Sequence, residues 1–362
     1  MTAHSPSRQQ DPEGARQARE AGLRHVSDAM PGYSRHRRGR GFAYRDPEGR
    51  IVRDPALLAR FKALAIPPAY TDVWISRFAN GHLQATGRDA RGRKQYRYHP
   101  DWQQASGEGK FERIVAFGRA LPRLRRHVRK DLGERGWPKR KVLALAVAVM
   151  AETLLRVGNE AYRRENGSFG LTTLRNRHVG FLKGGRVQFR FKGKSGLRHE
   201  AALDDARLAR QLRLVQQLPG QWLFQYRDDE GDVVPVDSGD INDYLHDAMG
   251  EAFTAKDFRT WGATLAAFQR LATTPLPEGR DGAAPSERAL KAVETAVLSE
   301  VAGLLGNTPA VCRRAYVDPT VWAGWRDGRV HRAAARGGAN GARGARQWEL
   351  AALAFLKRAR RD

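Results

Sequence analysis

The sequence predicts an α+β protein: a small β-rich N-terminal domain, then a larger, mainly α-helical domain with one small β-hairpin set into it. Three observations lead there. From Gly32 to about Ser106 the chain consists of short, aromatic-rich pieces broken by turn residues. Beyond that, apolar residues recur at helical spacing in one long segment after another. Between those helices, Val187, Phe189 and Phe191 alternate with Arg186, Gln188, Arg190 and Lys192, the period of a half-buried strand.

Residues 1–31 are polar, charged and poor in branched apolar side chains, which predicts a flexible or loosely helical tail. In the β-rich domain, residues 32–105, "GFAYRDPEGRIV" predicts a strand on each side of an Asp-Pro-Glu-Gly turn. "HLQATGRDARGRKQYRYHP" predicts a second hairpin around a Gly/Asp/Arg loop, and "DPALLARFKAL" a helix. The stretch "QQASGEGK", Gln103 to Lys110, is poor in apolar residues and reads as the link to the helical domain, residues 106–330.

That second domain carries helical patterns in "FERIVAFGRALPRLRRHVRKDL", "KRKVLALAVAVMAETLLRVG", "INDYLHDAMGEAF", "FRTWGATLAAFQRLA" and "ERALKAVETAVLSEVAGLLG". In "RVQFRFKGKSGLRHEAAL" a turn from Gly193 to Gly196 closes the hairpin. Residues 331–362 read as a basic, low-complexity linker, "RAAARGGANGARGARQ", ahead of a last amphipathic helix, "WELAALAFLKRA".

At 362 residues, two domains with loose ends are expected, and 41% apolar residues suffice for a core. The formal charge is +25, from 64 Lys and Arg against 39 Asp and Glu. Such an excess opposes compaction unless a polyanion relieves it, which points to nucleic acid or an anionic membrane surface. The longest apolar run, Val142 to Leu155, contains Glu152 and falls short of the roughly 20 residues of a membrane span. The N-terminus shows no secretory h-region, so a cytoplasmic, nucleoid-associated location is expected. One cysteine, Cys312, gives neither a disulfide nor a Cys/His zinc spacing. His99, His178 and His199 lack close ligand spacing and read as structural or DNA-facing; Asp237, Asp240, Asp243 and Asp247 read as a helix cap and a solvated face.

Several residues have both a plain reading and a chemical one. Arg156 closes an apolar helix; it is either salt-bridged, with Glu160 four residues on, or a planar fork for two phosphate oxygens. Lys194 is a solvated turn lysine or a mobile proton donor on a ribbon slim enough to enter a DNA groove. Arg259 sits early in a helix, against the dipole, which hints at an anion nearby. In "LLGNTPAVCRRAYVDPT", Gly306 ends one helix, Thr308 caps the next and Pro309 starts it, pinning Asn307 at the corner. Tyr316 follows on that second helix with Arg313 and Arg314 beside it; it is a core tyrosine, or a phenol whose anion the cations stabilise. In "GRKQYRYHPDW", Arg93, Lys94 and Arg97 interleave with Tyr96, Tyr98 and Trp102, which fits either nucleic-acid contact or a core-facing hairpin.

Taken in order, "GRDARGRKQYRYHPDW", "LLRVGNEAYRRENGSFGLTTLRNRHV", "FKGKSGLRHE", "KDFRTWGA" and "GNTPAVCRRAYV" resemble the type IB DNA topoisomerases, in particular the compact poxvirus-like enzymes of bacteria. The resemblance covers about residues 32–330. It implies a topoisomerase IB/tyrosine recombinase-like catalytic domain, with Tyr316 attacking a DNA phosphorus to form a 3′-phosphotyrosyl link. It further implies that Arg156 and Arg259 hold the nonbridging oxygens and that Lys194 protonates the departing 5′-oxygen. No ATP or obligatory metal is implied, and the partner is double-stranded DNA, clamped by a monomer whose Gln95, Tyr96, Tyr98 and Tyr162 contact it. The family usually has histidine where this chain has Asn307, an amide that offers only neutral N–H donors. The rival readings are a tyrosine site-specific recombinase, which typically carries His-x-x-Arg where this chain has Lys256-Asp-Phe-Arg259, and a non-catalytic basic DNA-packaging protein.

Overall fold

The computed structural model describes residues 12–39, 41–90, 92, 94–250, 253–279, 284–336 and 344–360. Arg93 and most of the Gly/Arg-rich stretch, residues 337–343, lie outside them. The chain divides into two compact units, Met1–Lys110 and Phe111–Asp362.

In the first unit, helix α1 (Pro12–Glu20) precedes strands β1 (Tyr33–Arg38) and β2 (Gly41–Arg45), helix α2 (Pro55–Ala63), and strands β3 (Thr71–Ile75), β4 (Leu83–Arg88) and β5 (Lys94–Tyr98). The strands form one antiparallel sheet in the order β2-β1-β3-β4-β5, leaving β5 at an edge. Asp54 caps α2, accepting from the Ala56 and Leu57 amides, and Phe61 of α2 is buried with Val73, Ile75 and Ala85 of the sheet. The β4–β5 hairpin falls where the sequence predicts it. The Asp46–Gly49 turn does not carry two full strands: beyond it Ile51 forms a single bridge to Arg45, and the true partner of β2 is β1. β1, "YSRHRR", escapes prediction because its inner positions include Arg35, whose guanidinium is satisfied by the carbonyls of Ile66, Pro67 and Tyr70.

One expectation is corrected here. Residues 1–31 are not a tail throughout: Ala18, Leu23 and Val26 are buried, and Arg24 pairs through its backbone with the segment Asn80–His82. Three apolar side chains and a backbone ladder anchor a segment whose composition alone looks too polar to fold. The stretch 103–110 lies at the division of the two units, as its reading as a link expects, and helix α3 (Pro100–Leu132) runs through it. Its Gln, Ala, Glu and Lys residues are good helix formers, so the helix propagates where burial gives no signal.

The second unit is built around helix α4 (Lys139–Thr153), in which Val142, Ala144, Leu145, Ala146, Val147, Val149 and Met150 are all buried. A helix apolar on every side needs cover on every side. That cover comes from α6 (Ala206–Gln216), α7 (Ser238–Met249) and α8 (Ala255–Thr273), together with two small sheets. Between α4 and α6 lie helix α5 (Glu160–Asn166) and the sheet β6 (Val179–Phe181), β7 (Val187–Lys192) and β8 (Arg198–Leu203), antiparallel in that order. Val187, Phe189 and Phe191 of β7 are buried as their alternation predicts; the short β6 adds a strand to the expected hairpin. Strands β9 (Gln225–Arg227) and β10 (Val233–Pro235) pair with each other, and Asp237 with Asp240 forms the cap of α7.

Helices α9 (Glu287–Leu305), α10 (Pro309–Ala315), α11 (Pro319–Arg326), α12 (Arg329–Arg336) and α13 (Ala345–Arg358) complete the unit. The last helix is part of the core: Ala351, Ala352, Phe355 and Leu356 are buried, and a Cβ at Gly324 of α11 would lie 2.6 Å from the Phe355 ring. Among the described residues no helix is long and apolar enough to cross a membrane.

Candidate active site

The end of α4 sets the first guanidinium. The helix stops at Thr153, and Leu154 takes left-handed backbone angles with φ 53°, so Arg156 does not close the helix but lies in the extended stretch beyond it. That stretch is pinned by backbone bonds from Leu171 to the Arg156 carbonyl and from Thr172 to that of Val157, both 2.8 Å. Gly158 and Gly170 let the two strands of chain touch: a Cβ at Gly170 would lie 2.6 Å from the Gly158 nitrogen. The suggested Arg156–Glu160 pair is absent, because Glu160 binds Arg163 and Arg164. Arg156 instead donates to the amide oxygen of Asn307.

Arg259 comes from the second turn of α8, where the Thr254/Asp257 capping box orients the helix start. Its side chain is 3% exposed. One Nη donates to the Leu154 carbonyl and the other to the Leu305 carbonyl at 2.8 Å, tying the ends of α4 and α9 together. Its guanidinium lies 5.1 Å from the centroid of the Tyr316 ring.

The α9–α10 corner is as the sequence predicts. Gly306 has φ 57° at the C-terminus of α9, the Thr308 hydroxyl accepts from Val311, and Pro309 begins α10. Tyr316, however, is the residue after α10 rather than on it. Its carbonyl accepts from Thr264 of α8 at 3.1 Å, and that same hydroxyl accepts from the Asp318 amide. Arg313 is turned away to Glu294 at 2.8 Å, so the flanking arginine predicted to stabilise the phenol serves the packing of α10 on α9. Glu294 is 2% exposed and also binds Arg326. Asp318, buried two residues beyond Tyr316, receives Arg360 from beyond α13 at 2.7 Å. Neither Glu294 nor Arg360 carries a sequence signal, since each looks like one more charge on a solvated helix face.

The electrostatics are those of an anion site. Among the described residues no carboxylate pairs with Arg156 or Arg259, which are met by carbonyl and amide oxygens and, for Arg259, by the Tyr316 phenol. Burial and the neighbouring Arg259 lower the Arg156 pKa, while Tyr316, Cys312 and Tyr162 favour its charged form. For Tyr316, burial pushes the phenol up, but Arg259, Arg156 and Lys256 together pull it below its ordinary value. Lys256 is a contributor the sequence reading did not assign. The Asn307 amide nitrogen is buried without a hydrogen-bond partner, and because the amide oxygen accepts from Arg156 the orientation of the group is determined. The nitrogen's one side-chain interaction is a weak one with the Cys312 thiol, so a neutral donor able to take a better acceptor sits beside two guanidinia.

Lys194 stands apart. It lies exposed in the 3₁₀ turn Lys194–Gly196 at the β7–β8 tip and makes no hydrogen bond or ion pair with the other four residues. Tyr162 is exposed on α5, near enough to Arg156 to favour its charge. In the first unit Tyr96 and Tyr98 share one face of β5, ring centroids 6.1 Å apart and nearly parallel, with Tyr96 49% exposed. Gln95 points to the other face and bonds Asp89 at 3.0 Å. Among the described residues no group of three or more His, Cys, Asp or Glu could hold a metal ion.

A phenol pulled down by two neighbouring guanidinia, with an amide at the same corner, is an arrangement chemically suited to attack on a phosphate ester. Residues 99–320 match the family described as eukaryotic DNA topoisomerase I, catalytic core, and residues 41–89 match bacterial DNA topoisomerase IB, N-terminal domain. The chain is 34% identical over 264 residues to the DNA topoisomerase 1B of Acanthamoeba polyphaga mimivirus, covering 72% of this chain and 77% of that one. It is 24% identical to the DNA topoisomerase 1 of rabbit fibroma virus, over 78% of this chain and 88% of the relative. For the DNA topoisomerase 1B of vaccinia virus, strain Copenhagen, the identity is again 24%, over 71% and 78%. The chain belongs to the type IB DNA topoisomerases.

Proposed function

We propose that Tyr316, Arg156, Arg259, Lys194 and Asn307 form the catalytic set of this topoisomerase. The enzyme relaxes positive and negative supercoils by nicking one strand, letting it rotate and rejoining it. In the proposed cycle the Tyr316 phenolate, its proton already lost to solvent, attacks a backbone phosphorus and the P–O5′ bond breaks. The departing 5′-oxygen takes a proton from the Lys194 ammonium. Arg156 and Arg259 hold the nonbridging oxygens, and the amide hydrogens of Asn307 donate to one of them. Rejoining reverses the exchange, the 5′-hydroxyl returning its proton to Lys194 as its oxygen displaces Tyr316 as the phenolate. One phosphate ester is traded for another, so the cycle runs without ATP, and the protein cations supply the charge that a metal ion would otherwise bring.

The observation that carries this reading is the Tyr316 ring lying against a buried guanidinium that no carboxylate among the described residues pairs. The exposed pair Tyr96 and Tyr98 supports a DNA-contacting role for the β-rich domain, residues 32–105, and exposed Tyr162 one for the helical domain, residues 106–330. Gln95, on the opposite face of β5, contacts DNA only after leaving Asp89. The enzyme works as a monomer that encloses the duplex, and the +25 charge makes its binding salt-sensitive.

Plasmids supercoiled in either sense are expected to be relaxed by the pure protein with a metal chelator present and no nucleotide. A requirement for a specific sequence or an assembled partner complex would instead favour a recombinase, and saturable binding with no relaxation a packaging protein.

Asn307→Ala is expected to slow single-turnover cleavage of a duplex while leaving its dissociation constant nearly unchanged. A neutral hydrogen bond is worth about 0.5–1.5 kcal/mol, or roughly 2- to 12-fold, and one realised in the transition state reaches about 10²-fold or more. An unchanged cleavage rate removes Asn307 from the set.

A further inference from the structure

His199 is not part of the set above, yet it is built into its frame. It lies on β8 directly opposite Phe191, its ring 5.2 Å from the phenylalanine ring and tilted to it. Two glycines make room for it. A Cβ at Gly193, the residue before Lys194, would lie 3.2 Å from the His199 Cβ. At Gly306, the residue before Asn307, a Cβ would lie 2.6 Å from the imidazole Cε1, too close for any side chain. The imidazole therefore fills the space between the stem of the β7–β8 turn and the α9–α10 corner.

Those two elements carry Lys194 on one side and Asn307 on the other, and among the described residues the exposed Lys194 side chain has no hydrogen bond or ion pair to hold it. We propose that His199 is a positioning residue that seats the Lys194 turn against the Asn307 corner, setting the reach of the ammonium to the departing 5′-oxygen. The inference rests on Lys194 being the proton donor. Burial and the charges of Arg156 and Arg259 depress the imidazole pKa, so the ring is neutral and acts as a spacer rather than adding a third cation.

The test separates proton delivery from the rest of the chemistry. Single-turnover cleavage is measured on two duplexes, one with the ordinary 5′-oxygen at the scissile phosphate and one with sulfur there, which leaves as a thiolate without needing a proton. On the oxygen duplex His199→Ala is expected to slow cleavage about 10- to 100-fold, the scale of a displaced catalytic group. On the sulfur duplex it should cleave at close to the wild-type rate. In a Lys194→Ala background, adding His199→Ala should cost little more, because the residue it positions is gone. Gly193→Ala, whose φ of −87° suits alanine, presses on the His199 Cβ and so shifts the ring without removing it, and should show the same oxygen-specific loss if His199→Ala folds poorly. Equal slowing of both duplexes, or no slowing of either, overturns the role of His199. If Lys194→Ala is itself slow on both duplexes, the assignment of Lys194 as proton donor fails instead.

Discussion

Tyr316→Phe is expected to abolish both relaxation and the covalent protein–DNA adduct trapped by denaturant, while binding duplex DNA as the wild type does. The substitution removes one oxygen and keeps the ring, which lies over Arg259 and is half-buried in the core of the unit. Packing and fold should therefore survive, and the loss is one of chemistry. The same variant reports on the phenol. Arg259, Arg156 and Lys256 outweigh the burial that pushes Tyr316 up, so its anion forms at a pH below the ordinary tyrosine value of about 10. In an ultraviolet titration of free protein, wild type minus Tyr316→Phe should show one phenol titrating early. Cleavage that depends on the anion should rise with pH and level off above that early value. An adduct that persists in Tyr316→Phe would move the nucleophile elsewhere.

Arg259→Ala should combine a kinetic and a structural loss. Removing one preorganised donor to a developing oxyanion costs about 10²–10³ in rate, roughly 2.7–4 kcal/mol. Arg259 also bonds the carbonyls of Leu154 and Leu305, so truncation leaves two backbone acceptors at the helix ends without it. A buried group left unsatisfied costs about 1–3 kcal/mol, so a lowered thermal midpoint should accompany the slow cleavage. Arg156→Ala should match the kinetic loss with a smaller thermal shift, because its partner is mainly the Asn307 side chain. Arg259→Lys keeps the charge but not the planar fork that spans two carbonyls, and should rescue only part of either effect. Near-wild-type cleavage by both alanine variants would remove the two arginines from the site.

Much of the architecture was legible because it follows from local pattern. The alternation in β7, the apolar run of α4, and the Gly306, Thr308 and Pro309 signals at the corner each act over a few residues, and each predicted element is present. What misled the reading was side-chain partnership. Arg156 looks like an i,i+4 partner of Glu160 and bonds Asn307, 151 residues away along the chain. Arg313 looks like support for the phenol and is held by Glu294. The N-terminal segment looks too polar to fold and is anchored by its backbone pairing with Asn80–His82.

By itself the sequence determined the order of the elements and the excess of positive charge, because composition and period are local properties, while the five candidate residues came from a resemblance carried by motifs in order. Only the tertiary structure decided which cations surround Tyr316, that the Asn307 amide keeps a donor able to take a better acceptor, and that His199 fills the gap between two glycines. Those are distances between segments far apart in the chain, set by how α4, α8, α9 and the β7–β8 hairpin pack, and no local pattern encodes them.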